Sequence, residues 1–333
     1  AVQVPSSGEV TADLKVGASR RLSVEVVDPF GAPLTAKVLV VCPGGPCATK
    51  RSDYRQFLDV ENLPSTLAAM EFADGTGKVS FEVPPGQYEV FVTRGMEYSA
   101  FPDTFPTKGA AVDLTTQDQT LKATLAHVVD TTGYLSADLH VHAVSSPDSS
   151  VDNAQRVRSF AAEGVDVLVS TDHDYLFDFA PVIASVGVAN QMTSMIGCEV
   201  TPFDYGHFQG YPLVPRAGPG NGAFDWAGGD GPSLRLDQLF DGLHQAHPGA
   251  IVQINHPRGS SGALTQLKVD TATGASHEKA ARFRMADNPA ATDADTKLFS
   301  GAFDAIEVEN GITPSFTGLN DWMTFMSRGW VKT

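Results

Sequence analysis

Asp138, His140 and His142 alternate along the apolar run Leu135–Val141. On a strand, residues two apart leave the same face, so both imidazoles point one way while Leu139 and Val141 point the other. Four further apolar runs end in the same fashion. Val165–Ser170 leads into Asp172 and His173, Met195–Cys198 into Glu199, Ala250–Ile254 into Asn255 and His256, and Phe303–Val308 into Glu309 and Asn310. Imidazole nitrogens and carboxylate oxygens that converge on one point, with a position left for water, are what a hydrolytic divalent-metal site needs. Asp138 stands two residues before His140, placed to orient a ring. Each motif alone is unspecific; all of them in order, at successive strand ends, point to a metal site. There is no Gly-x-Ser-x-Gly elbow, and Cys198 lies inside an apolar run as a small buried hydrophobe, so metal-activated water is the nucleophile to expect.

Parallel strands presenting ligands at their carboxyl ends describe the rim of an α/β barrel. From about residue 128 the chain has the matching texture of alternating strand and helix. Asp152 is placed to cap a helix over Asn153–Glu163, with Gly164 ending it before the next strand. Leu236–Ala246 reads as a helix, followed by a Pro-Gly break at Pro248 and the strand into His256. A last helix is expected over Leu319–Arg328, with Leu319, Trp322, Met323 and Met326 at helical spacing as its core face. Arg216–Pro232 and Arg258–Thr296 read as insertions that shape a pocket. His244, His247 and His277 read as solvated, and His127 as a non-ligand near a domain boundary.

The chain has 333 residues, enough for two domains, and a hydrophobic content of 42% is ample for their cores. Residues 1 to about 127 read as all-β. Arg21–Val27, Ala36–Val41, Lys78–Val83 and Gln87–Thr93 alternate and are separated by turn signals, as in a small antiparallel sandwich. No apolar run approaches the ~20 residues that cross a bilayer. A net charge of -16 argues against nucleic acid as a partner, because neutralising phosphates needs a basic surface. Cys42 and Cys47 bracket Pro-Gly-Gly-Pro and could close a disulfide loop or remain free thiols; a disulfide implies an oxidising, extracytoplasmic location.

The motifs also carry a family resemblance. Asp138-Leu-His-Val-His142, Thr171-Asp-His173, Gly197-Cys-Glu199, Gly206-His-Phe208, Asn255-His-Pro-Arg258 and Phe303-Asp-Ala-Ile-Glu-Val-Glu-Asn-Gly311 resemble the successive motifs of the PHP (polymerase and histidinol phosphatase) family. The spacing of Glu199 and His207 is most similar to its carbaryl-hydrolase-like branch. Val26–Ala36, paired with Val83-Pro-Pro-Gly-Gln-Tyr-Glu-Val90, resembles the prealbumin-like domain of secreted hydrolases. The PHP resemblance implies a distorted (β/α)7 barrel over 128–333 that holds two or three Zn, Mn or Fe ions and hydrolyses phosphate esters, or in some members carbamates or amides. It implies that His140 and His142 hold the first metal, and that Glu199 bridges to a second completed by His207 and His256. Asp148 and His173 would hold or place a third. Arg258, two residues past His256, would meet a small anionic substrate through its planar fork, unless it serves a structural ion pair.

The family's closing Asp-x-His motif is absent. Trp330–Thr333 reads as the start of the strand that would carry it. The chain is then a piece of a longer enzyme, a partner to a second chain that supplies the strand, or a catalytically degenerate binding module.

Overall fold

The computed structural model describes residues 17–47, 64–202, 205–227, 234, 236–276, 300–310 and 316–329. Trp330–Thr333 and His277 lie outside the described residues. The chain divides into two compact units, Ala1–Thr131 with Ala162–Gly164, and Thr132–Ala161 with Val165–Thr333.

The first unit has two sheets. One has the order β4-β1-β7, from β1 (Arg20–Val27), β4 (Lys78–Val83) and β7 (Gln119–Thr124). The other has the order β3-β2-β5-β6, from β2 (Lys37–Val41), β3 (Leu67–Phe72), β5 (Gln87–Thr93) and β6 (Ala110–Asp113). Alternate residues of both sheets, such as Val24, Val26, Val38, Val40, Phe81 and Val90, share one core, which is the packing of a sandwich. The expected all-antiparallel arrangement is corrected at one edge, where β1 pairs with β7 in parallel. Cys42 and Cys47 form a disulfide.

The second unit opens with β8 (Ala137–Val141), α1 (Asn153–Ala162) and β9 (Val167–Ser170). Asp152 caps α1 as its position suggests: its Oδ1 accepts the N–H groups of Ala154 at 2.9 Å and Gln155 at 3.4 Å. Then come α2 (Ala180–Val186), β10 (Thr193–Ile196), β11 (Cys198–Val200) and β12 (Phe208–Tyr211). The unit closes with α3 (Leu236–Ala246), β13 (Ile251–Ile254), α4 (Ala263–Gln266), β14 (Ala305–Ile306) and α5 (Phe316–Ser327). One sheet has the order β10-β9-β8 and is parallel throughout; the other has the order β11-β12-β13-β14. β10 and β11 are one run of chain that changes sheets at Gly197, where a Cβ would lie 2.8 Å from the Gly210 carbonyl oxygen and 2.9 Å from that of Ser170.

Four expectations need correction. β12 runs antiparallel to both β11 and β13, so the ligand-bearing strands are not all parallel. His207, at the amino end of β12, therefore lies at the same edge as the carboxyl ends of β11 and β13. Secondly, the sheets are mixed α/β layers, and among the described residues no backbone pairing closes them into a barrel. Thirdly, α5 buries only part of its expected face: Trp322 and Met326 pack against the core as expected, but the other two residues do not. Leu319 and Met323 are 38% and 54% exposed, whereas Phe325 and Asp321 are buried. Gly318 sets that face, because a Cβ there would meet the Val308 carbonyl oxygen at 2.5 Å. His247 is also buried and accepts the Val214 N–H on Nδ1, and His244 lies 2.8 Å from Asp304, so neither is simply solvated.

Candidate metal centre

The β8 strand breaks its register with β9 between Asp138 and Val141. Past that point the pairing resumes at Val141 and Ser170, with the Thr171 N–H donating to the Val141 carbonyl at 3.0 Å, and side chains reinforce it. Thr171 Oγ1 accepts the Val141 N–H at 2.7 Å, and Asp172 Oδ1 accepts the Ala143 N–H at 2.7 Å. This holds the segment bearing His140 and His142 against the end of β9. Asp138 accepts the N–H of His140 itself at 3.1 Å; it fixes backbone, where the sequence suggested that it orients a ring. Gly206 and Gly262 allow the close approach that seats His207. A Cβ on Gly206 would meet the Ala263 nitrogen at 2.5 Å, one on Gly262 the His256 oxygen at 2.2 Å, and the His207 N–H donates to Ser261 O at 2.9 Å.

His140, His142, Asp148, His173, Glu199, His207 and His256 line one cavity of about 280 Å³, with Ser261 and Asn310 at its wall. Glu199, 1% exposed, is its centre. Its Oε1 lies 3.3 Å from His140 Nε2, 3.4 Å from His207 Nδ1 and 3.2 Å from His256 Nε2. Its Oε2 lies 3.3 Å from His142 Nε2 and 3.1 Å from His173 Nδ1. Asp148 Oδ2 approaches His173 Nε2 at 3.4 Å, and Asp148 Oδ1 approaches His142 Nδ1 at 3.7 Å. Three ligand-capable groups result: His140, His142 and Glu199; His142, Asp148 and His173; His173, Glu199 and His207. His256 joins them through Glu199.

These residues fit a divalent cation on three counts. The rear nitrogens of two rings are committed. His140 Nδ1 faces Glu307 Oε1 at 3.1 Å, and a carboxylate only accepts, so the proton sits on Nδ1. Ser146 donates its own proton to Asp148 at 2.7 Å, which leaves its oxygen to accept from His142 Nδ1 at 3.0 Å. In the neutral rings both Nε2 atoms then carry lone pairs, and they face each other at 3.0 Å; two lone pairs so placed call for a cation between them, a proton on His140 or a metal ion. Secondly, Glu199 Oε2, His207 Nδ1 and His256 Nδ1 are buried without a hydrogen-bond partner. Thirdly, a mixed imidazole and carboxylate set suits Zn, Mn or Fe better than an all-oxygen cation such as Ca.

The electrostatics agree. Burial would raise the Glu199 carboxyl, but the surrounding His140, His207 and His256 imidazoles outweigh it and hold the group well below the usual range. Burial opposes charge on His140, yet Glu199 and Glu307 lift it to about 10, whereas burial presses His142 down to about 4. Without metal, a proton on His140 supplies the positive charge that Glu199 demands.

Several residues of the site went unrecognised in the sequence. Glu307 binds two ligands at once, since Oε1 takes His140 and Oε2 accepts the His256 N–H at 2.6 Å. That contact holds His256 at φ 24°, a backbone conformation rare outside glycine. The run Phe303–Val308 looks apolar to its end and so masks Glu307, whereas β14 stops at Ile306. Thr201 Oγ1 lies 2.7 Å from His173 Nδ1, the nitrogen nearest Glu199, and Asn255 donates to Glu199 Oε1 at 2.8 Å. Arg258 is not among the residues lining the cavity. Its Nε and one terminal nitrogen bind both oxygens of Asp321, at 2.7 and 2.8 Å.

No family model matches the chain, and no curated protein does. Among solved structures, a two-domain protein from Bacteroides vulgatus, described as containing a predicted PHP-like metal-dependent phosphoesterase, aligns with 59% of this chain and 49% of its own at 20% identity and a TM-score of 0.35. BcpA, the major pilin subunit of Bacillus cereus, aligns with 33% of this chain and 30% of its own at 13% identity and a TM-score of 0.22. The Bacillus anthracis TIE protein aligns with 32% of this chain and 16% of its own at 13% identity and a TM-score of 0.21. The chain thus spans less than half the length of these proteins. At such scores neither fold nor activity transfers, and the functional reading rests on the side chains of the cavity. Among the described residues no helix is long and apolar enough to cross a membrane.

Proposed function

We propose that this protein is a metal-dependent hydrolase, and that His140, His142, Asp148, His173, Glu199, His207 and His256 hold two or three divalent ions of the Zn, Mn or Fe type. The observation that carries the reading is the convergence of all seven side chains on one open cavity, with the rear nitrogens of His140 and His142 already anchored. Divalent cations supply an activated water and charge neutralisation at the reacting group. The chain's own residues do the rest. Glu199 stays ionised in the centre and can bridge two positions through its separate oxygens. Glu307 and Ser146 keep protons on the rear nitrogens of His140 and His142, so that their Nε2 atoms are left to a cation, and Thr201 takes the proton of His173 Nδ1, which leaves its Nε2 facing Asp148.

The first choice of substrate is a small phosphate ester, in keeping with the PHP resemblance and its distorted barrel. The carbaryl-hydrolase-like branch supplies a second reading, cleavage of an amide or carbamate, and one observation favours it. No Lys or Arg stands among the described residues lining the cavity. Arg258 would reach an anion only through its remaining terminal nitrogen or after leaving Asp321. The Cys42–Cys47 disulfide supports an oxidising, extracytoplasmic location.

The test is metal content by plasma mass spectrometry, on protein purified without added metal or chelator. Metal-stripped and reloaded protein is then assayed with p-nitrophenyl phosphate, its diester and a p-nitrophenyl carbamate. Two or more equivalents, with hydrolysis lost on stripping and restored on loading, is the expected result. Bound metal without turnover of any substrate would favour the non-catalytic binding module. Absence of metal would overturn the proposal.

A further inference from the structure

Behind Glu199 lies a chain of buried amides that the metal ligands do not explain. Gln209 and Asn255 are 0% exposed, and Gln253 and Tyr211 are 6% and 5% exposed. The direction of every hydrogen bond in the chain is forced. The Leu139 carbonyl can only accept, so Gln209 must present its Nε2 there, at 2.5 Å. Its Oε1 is thereby turned to Asn255, whose Nδ2 donates to it at 3.2 Å and to Glu199 Oε1 at 2.8 Å. Asn255 Oδ1 then accepts from Gln253 Nε2 at 3.3 Å, and Gln253 Oε1 accepts the Tyr211 hydroxyl at 2.8 Å. Flipping any one amide would set donor against donor or acceptor against acceptor inside the protein, at a cost the interior does not relieve.

The placement of this chain gives it a task. β8 is an edge strand of its sheet, and among the described residues no backbone ladder joins it to the sheet of β11–β14. Leu139 lies between Asp138 and His140, and its carbonyl is the acceptor for Gln209. The amides therefore tie the strand carrying His140 and His142 to β12, to Asn255 after β13, and to the carboxylate on β11. Asn255 is also a donor that never titrates, so Glu199 keeps one oxygen anchored from the protein side whatever occupies the cavity.

We infer that Gln209 and Asn255 are positioning residues that set the distance between the His140–His142 strand and Glu199. The inference rests on the metal-site reading above. Its test is a cobalt(II) titration of the chelator-stripped full chain, wild type beside Gln209→Met, which keeps the side-chain length and removes the amide. The variant should bind cobalt about tenfold to a hundredfold more weakly, with an altered visible ligand-field band and an unchanged far-ultraviolet dichroism spectrum. A residue that served stability alone would lower the melting point and leave the cobalt band of the folded protein where it was. Equal affinity and an equal band in both proteins would overturn the inference and leave the metal site standing. A wild type that binds no cobalt would remove the metal site, and the inference with it. Should Gln209→Met fail to fold, side-chain amide NMR of the wild type decides. Slow-exchanging amide protons on Gln209 and Asn255, with the Asn255 pair shifting as zinc is added, support the positioning role; fast exchange and no shift refute it.

Discussion

Replacing Glu307 by Gln changes one atom and removes one acceptor. The carboxylate serves His140 Nδ1 at 3.1 Å with one oxygen and the His256 N–H at 2.6 Å with the other, while Asn310 also donates to it at 3.1 Å. A glutamine has a single carbonyl for donors on two sides. Turned towards the His256 backbone, it presents its amino group to His140 Nδ1, and the imidazole must take the other tautomer. The proton then stands on Nε2, 3.3 Å from Glu199 Oε1, where a cation needs a lone pair. Turned towards His140, it leaves the His256 N–H facing a donor, and the contact holding that residue at φ 24° is lost. Either way one ligand is misplaced and one hydrogen bond to a charged group disappears, which costs about 1.5–3 kcal/mol. At about 1.4 kcal/mol per tenfold in affinity, the expected loss is roughly tenfold to a hundredfold for the metal bound through His140. Competition with a chromophoric chelator measures it directly, with metal-free wild type and variant titrated side by side. Unchanged affinity at every equivalent would show that Glu307 does not set the state of His140, and the tautomer reasoning would fall.

Glu199→Gln should release most of the bound metal, since the carboxylate touches all of the facing imidazoles; unchanged metal content by mass spectrometry would remove Glu199 from the site. Asp172 gives a pH prediction. Burial raises its carboxyl to about 6 from an unfolded value of 3.8. A raised acid stabilises the fold below the unfolded value and loses that contribution as pH rises through the folded one. In metal-free protein, the stability of Asp172→Asn relative to wild type should therefore grow between about pH 4 and pH 6 and then level off, gaining on the order of 3 kcal/mol by linkage. Urea denaturation across that range checks it, and a flat difference would refute it. Arg258→Lys keeps the charge and loses the fork on buried Asp321. It should destabilise by about 1–3 kcal/mol with unchanged metal content, read from denaturation midpoints. A selective loss of kcat/KM towards anionic substrates at unchanged stability would instead place Arg258 on the substrate.

How much of the site could be read without coordinates follows from what a linear pattern encodes. Residues two apart on a strand share a face, so His140 and His142 were legible as a pair, and apolar runs ending in Glu199 and His256 marked strand termini. Periodicity says which face a residue takes but not which neighbours it meets. Helical spacing thus puts Trp322 and Met326 inward, as found, but also Leu319 and Met323, which Gly318 against Val308 and Asp321 under Arg258 leave exposed. Strand direction was equally silent: the β12 segment reads alike in either sense, and only its pairing shows it antiparallel.

The sequence by itself determined the chemistry available: imidazole and carboxylate donors at strand ends, a β-rich first part, and no nucleophile of another type. Local spacing suffices for that, because face and terminus are properties of one strand. Tertiary structure alone decided which atoms of those donors are free. Glu307, Ser146, Thr201 and Asn255 come from four separate segments, and no spacing links them to the rings or the carboxylate they hold. A proton's place on an imidazole depends on the partner at its rear nitrogen, and that partner is chosen by the packing of distant strands.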